Sequence, residues 1–361
     1  MKVAIFGAGL AGLACAISLR AEGHQCEIYE RSRQAHDAGM GFILLPEAIT
    51  GLVSLGVTLH GDRSGVPLAH YICRTSTGEI LEEQSLPAGT RSFRRRDLIA
   101  GMTASLNGSR PIVFHSELDR LEFDAQGRVH AAYLSSGRKV EAELYLAADG
   151  SRSRARTAIY PKWSACSAPV AEVVGMVRCA DAIQWSQGNF NKFHAESGGL
   201  ALGVVPVDRH HAVWFLQFDV QKFQLPPDTP ESLICFVENL VGEWAEPIPH
   251  LLHHTDYSRV HLWRPVDADL VPEFYRGNLA LVGDAAHPML PFTSRGVSSA
   301  IADAIVLTEA ISATSSIDQA LAQYSAQRRR ECTPYINKGR DLTRNFLAPL
   351  CRESAVVPLA L

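Results

Sequence analysis

The chain has 361 residues, 47% of them hydrophobic and 20% charged, with a formal net charge of −4. That length allows two domains sharing an extensive core. The charge gives no reason to expect nucleic acid or an anionic membrane as partner, and no unbroken apolar run is long enough to span a bilayer.

Residues 2 to 6 read as a buried strand, followed by glycine turns and an amphipathic helix over 10 to 22. The opening "KVAIFGAGLAGLACAISL" places its glycines at strand-to-helix positions and has no small-residue cleavage site, so it reads as the first strand of the fold and not as a leader. "GHQCEIYER" adds a turn and a second strand, and two strands joined through a helix lie parallel. Residues 66 to 90 alternate polar and apolar like an antiparallel excursion. "RRRDLIAGMTASL" returns to helix, and strands follow with turns at Gln126-Gly127 and Ser136-Gly137. From about 170 to 263 the pattern is of strands carrying Trp185, Trp214 and Trp263, a sheet-floored second domain. After 278 α/β character resumes and the chain finishes in helices.

The eight cysteines (15, 26, 73, 166, 179, 235, 332 and 351) show no CxxC and no paired spacing. They speak against a zinc site or disulfide framework and for a reducing, cytoplasmic setting. No metal ligand set is assigned; His210-His211 and His253-His254 read as turn decoration.

The segment Gly7-Ala8-Gly9-Leu10-Ala11-Gly12 lies between the first strand and helix. Gly7 permits the tight turn, Gly9 a close approach of backbone to pyrophosphate, and Gly12 close helix-to-strand packing. The helix N-terminus offers unpaired N–H donors to phosphate. Glu30 closes the second strand, where a carboxylate accepts hydrogen bonds from an adenosine ribose. These features specify a dinucleotide, without choosing NAD or FAD.

Two later segments choose. "LYLAADGSRSRAR" puts Asp149-Gly150 after a strand, and "ALVGDAAHPMLP" puts Asp284 at the end of another. With the glycine fingerprint, Glu30-Arg31 and "RRDL" at 95 to 98, nearly the whole chain resembles the para-hydroxybenzoate hydroxylase-like, single-component FAD monooxygenases. The resemblance implies an α/β fold: a Rossmann-like FAD-binding domain (1–65, 91–162 and 264–361) interleaved with a smaller substrate domain (66–90 and 163–263), and C-terminal helices. It implies that Asp284 bonds the ribityl chain, that Arg95 approaches the pyrophosphate or ribityl region, and that main-chain groups at Leu118 hold the adenine. Asp149 then lies where the reductant approaches. The 291–298 segment, with Pro291 and the N–H groups of Gly296 and Val297, runs along the isoalloxazine.

The implied reaction uses NAD(P)H as a transient reductant and O2, and it inserts one oxygen atom into a small aromatic or heterocyclic substrate through a flavin C4a-peroxide. Hydroxylation, Baeyer–Villiger insertion and N-oxidation share that oxidant. A second glycine-rich nucleotide unit is missing, so the nicotinamide cofactor docks transiently against a mobile flavin. The flavin halogenase segment Trp-x-Trp-x-Ile-Pro is not found, and "KWSAC" does not fit it. The substrate pocket is expected between flavin and second-domain sheet, from residues 175 to 217 with Pro291, Phe292 and Thr293. Strand alternation would put Leu202, Val204, Trp214 and Leu216 on its face.

Bland readings stand beside these. Asp149 and Ser153 also suit a turn and a helix cap, Arg156 an internal ion pair, and His287 a loop brace. No side chain is assigned as catalytic, because the flavin carries the chemistry. The chain departs from the family at Ser294-Arg295-Gly296, where a small residue, Gln and Gly are usual, and at Ser298, where Asn is common. Arg295 either points to solvent or modulates turnover by stabilising reduced anionic flavin. The altered segment also leaves open an FAD-retaining substrate-binding or stabilising protein without full turnover.

Overall fold

The computed structural model describes residues 1–34, 40–59, 64–106, 112–178 and 185–350. Cys179, Cys351 and residues 179–184 of the expected pocket stretch lie outside them. The helices among the described residues are α1 (Leu10–Ala21), α2 (Pro46–Ser54), α3 (Arg95–Ser105), α4 (Arg154–Ile159), α5 (Pro230–Val241), α6 (Ile248–His253), α7 (Gly296–Ala313) and α8 (Ile317–Leu347).

The first sheet runs in the order Tyr275–Arg276, Leu279–Leu281, Leu144–Ala147, Lys2–Phe6, Gln25–Tyr29, Ile112–Val113. Its pairings are parallel except at the Tyr275–Arg276 edge. Such a sheet is covered on both faces, which explains why its central strands Lys2–Phe6, Leu144–Ala147 and Leu279–Leu281 are nearly continuous apolar runs without alternation. Its strand ends bring the Gly7 turn, the Glu30 turn, Asp149 and Gly283 to one edge. That edge is where open α/β sheets bind ligands. Helix α7 is long and apolar enough to cross a membrane, yet it packs on α1, α2 and α8 as a core helix.

The second sheet has seven strands, ordered His261–Trp263, Val170–Arg178, His211–Asp219, Leu200–Pro206, Phe190–His194, His70–Thr75, Ile80–Ser85. It draws on both the 66–90 and the 163–263 segments. The stretch read as strands up to 263 also contains α5 and α6, which cover one face of this sheet. Helix α5 starts at a Thr229 cap and presents Leu233, Val237 and Val241 inward, an i, i+4, i+8 stripe.

That covered face corrects one expectation. Leu202, Val204, Trp214 and Leu216 do share a face, but it packs on α5 and α6, and the Trp214 indole donates to the Thr255 hydroxyl at 2.8 Å. Strand Leu200–Pro206 is buried at every position, so its alternation says which residues go together and not which way they face. The opposite face carries Val174, Phe215, Gly203 and Lys192 in one cross-strand row, with Glu172, Gln217, Ala201 and His194 in the next. This second face meets the first domain. Met40 packs beside Val174, Met176 and Val213, while Leu290 and Phe292 pack on Ala201 and Val170.

Candidate functional site

Gly7 has φ +109, and a Cβ there would collide with the Ala148 carbonyl; a Cβ on Gly12 would collide with the Gly7 carbonyl. These two glycines are therefore required by the fold itself. Gly9 differs: it has an ordinary φ, and its missing Cβ would stand in open space. It caps α1 without a side-chain hydrogen bond, so the first N–H groups of α1 face an open approach. Ala8 and Ala11 beside it are half-buried, and Leu10 is in the core.

The Glu30 carboxylate accepts from the Ala8 N–H at 2.7 Å and the Ser32 N–H at 2.9 Å, tying the end of the second strand to the glycine turn. Arg31 follows at the surface. The Ser116 N–H donates to the Glu30 carbonyl at 2.8 Å, which brings Leu118 to the same end of the site; the Leu118 side chain is in the core.

Asp149 accepts at one oxygen from the Arg154 and Ala155 N–H groups, at 2.8 and 3.2 Å; its Oδ1 is buried with no partner. Burial raises its pKa, against hydrogen bonds from Ser153 and the backbone. Ser153 caps α4 by accepting from the Arg156 N–H. Arg156 is not an ion-pair residue: it donates to the carbonyls of Asp284, Ala285 and Ser151 and lies on the Trp163 ring. It binds the Asp149 turn to the Asp284 turn.

Asp284 is exposed, and desolvation by the protein around it raises its carboxyl pKa against the charges of His287, Arg95 and Arg156. Burial lowers the Arg95 guanidinium, with Asp284 opposing. The turn behind Asp284 is held by Asp303, which accepts from the Gly283 N–H, from His287 Nε2 and from Arg328 Nε, each at 2.7 Å. His287 is thus a fully buried brace.

At the other end, Ser294 adopts a left-handed conformation and Arg295 caps α7 without a side-chain bond to the helix. A Cβ on Gly296 would meet nothing. Gly296 and Val297 are half-exposed, and the hydroxyls of Thr293 and Ser298 are buried without partners. Arg295 is 6% exposed; its guanidinium pairs with Glu47 of α2 and lies over the Tyr335 ring. It does not point to solvent.

The arrangement suits a long dinucleotide. It has two helix N-termini without side-chain caps, at Gly9 and Arg295, an acid at or just past each of three strand ends, and orphaned polar atoms at Asp149, Thr293 and Ser298. A model of the FAD-binding domain family matches residues 1–337. The chain belongs to this family. It is 26% identical to the FAD-dependent urate hydroxylase of Klebsiella pneumoniae, over 98% of this chain and 95% of that one. It is also 26% identical to 3-amino-4-hydroxybenzoate 2-monooxygenase of Streptomyces cremeus, over 97% and 88%. The solved structure of Klebsiella pneumoniae HpxO with FAD and uric acid superposes with a TM-score of 0.85 at 23% identity, covering 96% of this chain and 89% of that one. The protein is an FAD-dependent monooxygenase with a Rossmann-like FAD domain, and FAD is its cofactor.

Sequence reasoning missed Asp303, Arg328 and Glu47, which position the predicted site residues without belonging to a motif. It also missed the buried polar group Glu172, Lys192 and Gln217. For Glu172 and Gln217 the signal was present, since each is a polar residue inside a mainly apolar strand, whereas Lys192 stands between Asn191 and Phe193 in the mixed strand Phe190–His194.

Proposed function

We propose that this monooxygenase uses NAD(P)H and O2 to insert one oxygen atom into a small planar ring compound. The substrate lies between the flavin and the sheet face that carries Val174, Met176 and Phe215. The observation that carries this reading is the set of half-buried side chains at the centre of an otherwise sealed interface. Met40 closes one end of that interface and Leu290 with Phe292 closes the other. Mostly apolar walls with a few polar anchors suit a small molecule. The urate and aminohydroxybenzoate named for the two relatives are rings of that size.

The same reading assigns the FAD contacts. The α1 N-terminus at Gly9 receives the pyrophosphate, Glu30 the adenosine ribose, and Leu118 main-chain groups the adenine. Arg95 and Asp284 lie along the ribityl chain, Asp149 at the reductant's approach. Pro291 and the Gly296 and Val297 N–H groups border the isoalloxazine. FAD, when bound, supplies two-electron transfer and activation of O2. The chain's own residues orient the ring and exclude water. With one glycine fingerprint in the sequence, the nicotinamide nucleotide docks transiently.

The test is a metabolite panel scored by NADH and NADPH consumption and by a product 16 mass units heavier than its parent. FAD retention without any substrate-stimulated nucleotide oxidation would favour the non-turnover reading.

A further inference from the structure

Lys192 sits on the sheet face just described, fully enclosed by protein. Its ammonium donates to Gln217 Oε1 at 2.5 Å, and Gln217 Nε2 donates to Glu172 Oε1 at 2.6 Å. The amide thus stands between cation and anion and fixes the direction of the chain. An ammonium has three donors. The ammonium also lies near two ring faces, Phe292 at 5.4 Å and Phe346 at 5.5 Å, and Cys73 is the cross-strand partner of Lys192. Next along the strand on the same face, His194 Nε2 is buried without a partner.

Burying a charge is costly unless it is paired and bonded, and an apolar triplet would fill this space without that cost. A row of small and flat groups leads to the ammonium. Gly203 separates Lys192 from Phe215, and Phe215 lies across Gly203 so closely that a Cβ there would collide with the ring. The row therefore offers a flat floor ending in a cation with unused donors.

We propose that Lys192 is a specificity-determining residue that receives an anionic oxygen of a planar substrate whose ring lies over Phe215 and against Phe292. This rests on the pocket placement given above. Glu172 makes room for the added charge. Burial pushes its carboxyl up to about 7, while burial draws Lys192 down to about 8, each opposed by the other's charge. An arriving anion therefore favours protonation of Glu172 and leaves the ammonium to the ligand. The remaining titratable neighbours stay neutral: burial holds His194 down at about 3 and pushes the Cys73 thiol up. The loop and α8 bring the apolar side chains of Leu290, Phe292, Leu342, Phe346 and Leu347 to this side of the sheet.

The experiment titrates three matched acid and amide pairs into FAD-loaded protein near pH 7: 4-hydroxybenzoate with 4-hydroxybenzamide, salicylate with salicylamide, and nicotinate with nicotinamide. Calorimetry gives Kd, and the flavin difference spectrum is recorded in parallel. We expect at least one acid to bind ten or more times tighter than its amide, with uptake of a fraction of a proton. The uptake is read from buffers of differing ionisation heat. In a Lys192→Met, Glu172→Gln double variant, which keeps the site neutral, the preference should vanish while FAD is retained. No preference in any pair overturns the assignment, as does a preference that survives in the double variant. Absence of proton uptake overturns the role given to Glu172. A Lys192-dependent preference with a silent flavin spectrum would instead remove the pocket from the flavin's side and leave the Lys192 assignment standing.

Discussion

Arg295 and Glu47 join two helices across the site: the residue that caps α7 gives its guanidinium to a carboxylate in the first turn of α2. The arginine is almost wholly buried, whereas the Glu47 side chain is 48% exposed. The two charges therefore act on the site unequally, because water screens the glutamate more.

On the proposed placement of Gly296 and Val297 beside the flavin, a charge about 5–10 Å away at an effective dielectric of about 20 would contribute roughly 2–3 kcal/mol before screening. For a two-electron couple, about 1.4 kcal/mol corresponds to about 30 mV. Arg295→Gln should lower the midpoint potential by tens of millivolts, since it removes a cation that favours reduced anionic flavin. Glu47→Gln should raise it by less, and the double variant should fall between. Spectroelectrochemical titration checks this; shifts under about 10 mV in both single variants would remove the electrostatic role. FAD should remain bound in all three.

Glu30→Ala should weaken FAD retention at least tenfold. A hydrogen bond to a charged group contributes roughly 1.5–3 kcal/mol, and the substitution also strips the Ala8 N–H of its acceptor. Equilibrium dialysis against FAD measures it. Unchanged affinity would show that the acid braces the glycine turn and does nothing for the ribose.

Gly9 and Gly12 should separate cofactor binding from folding. Gly12→Ala forces a methyl against the Gly7 carbonyl and should cost about 1–3 kcal/mol of stability. Gly9→Ala meets no protein atom, so its melting temperature without FAD should match the parent's. FAD affinity should nonetheless drop, because on the proposed placement the new methyl would occupy the pyrophosphate approach. Full FAD affinity in Gly9→Ala would place the pyrophosphate elsewhere.

The first domain was legible because parallel-sheet α/β units write their function into local sequence. Gly7 and Gly12 are dictated by turn and packing within six residues, and Asp284 follows a strand that is itself an apolar run. The second domain was legible only in part. Leu202 and Trp214 were paired correctly on one face, but choosing the face needed α5 and α6, which lie beyond the strands in sequence. Long-range partners left no local trace. Nothing near residue 295 announces Glu47, and nothing in "GDAAHP" announces Asp303 or Arg328.

That hidden brace makes the last prediction, which concerns pH. Burial alone would lower the His287 pKa, but the Asp303 carboxylate outweighs it and holds the imidazole well above its ordinary value. Burial would raise Asp303, and the charges of His287 and Arg328 outweigh that in turn, so its carboxyl lies below the usual range. A raised histidine contributes stability that is fully present below the unfolded pKa of about 6.5 and is lost as pH climbs towards the folded value. A depressed carboxylate contributes stability above its unfolded pKa of about 3.9 that is lost as pH falls through the folded value. The pair is therefore most stabilising between about pH 4 and 6.5. His287→Gln should lower the melting temperature most in that window, and the gap to the parent protein should narrow steadily as pH rises above about 7. Thermal melts of both proteins from pH 5 to 9 supply the comparison. A gap that stays constant across this range would mean that His287 is neutral in the fold and braces the Asp284 turn only as a hydrogen-bonding partner of Asp303.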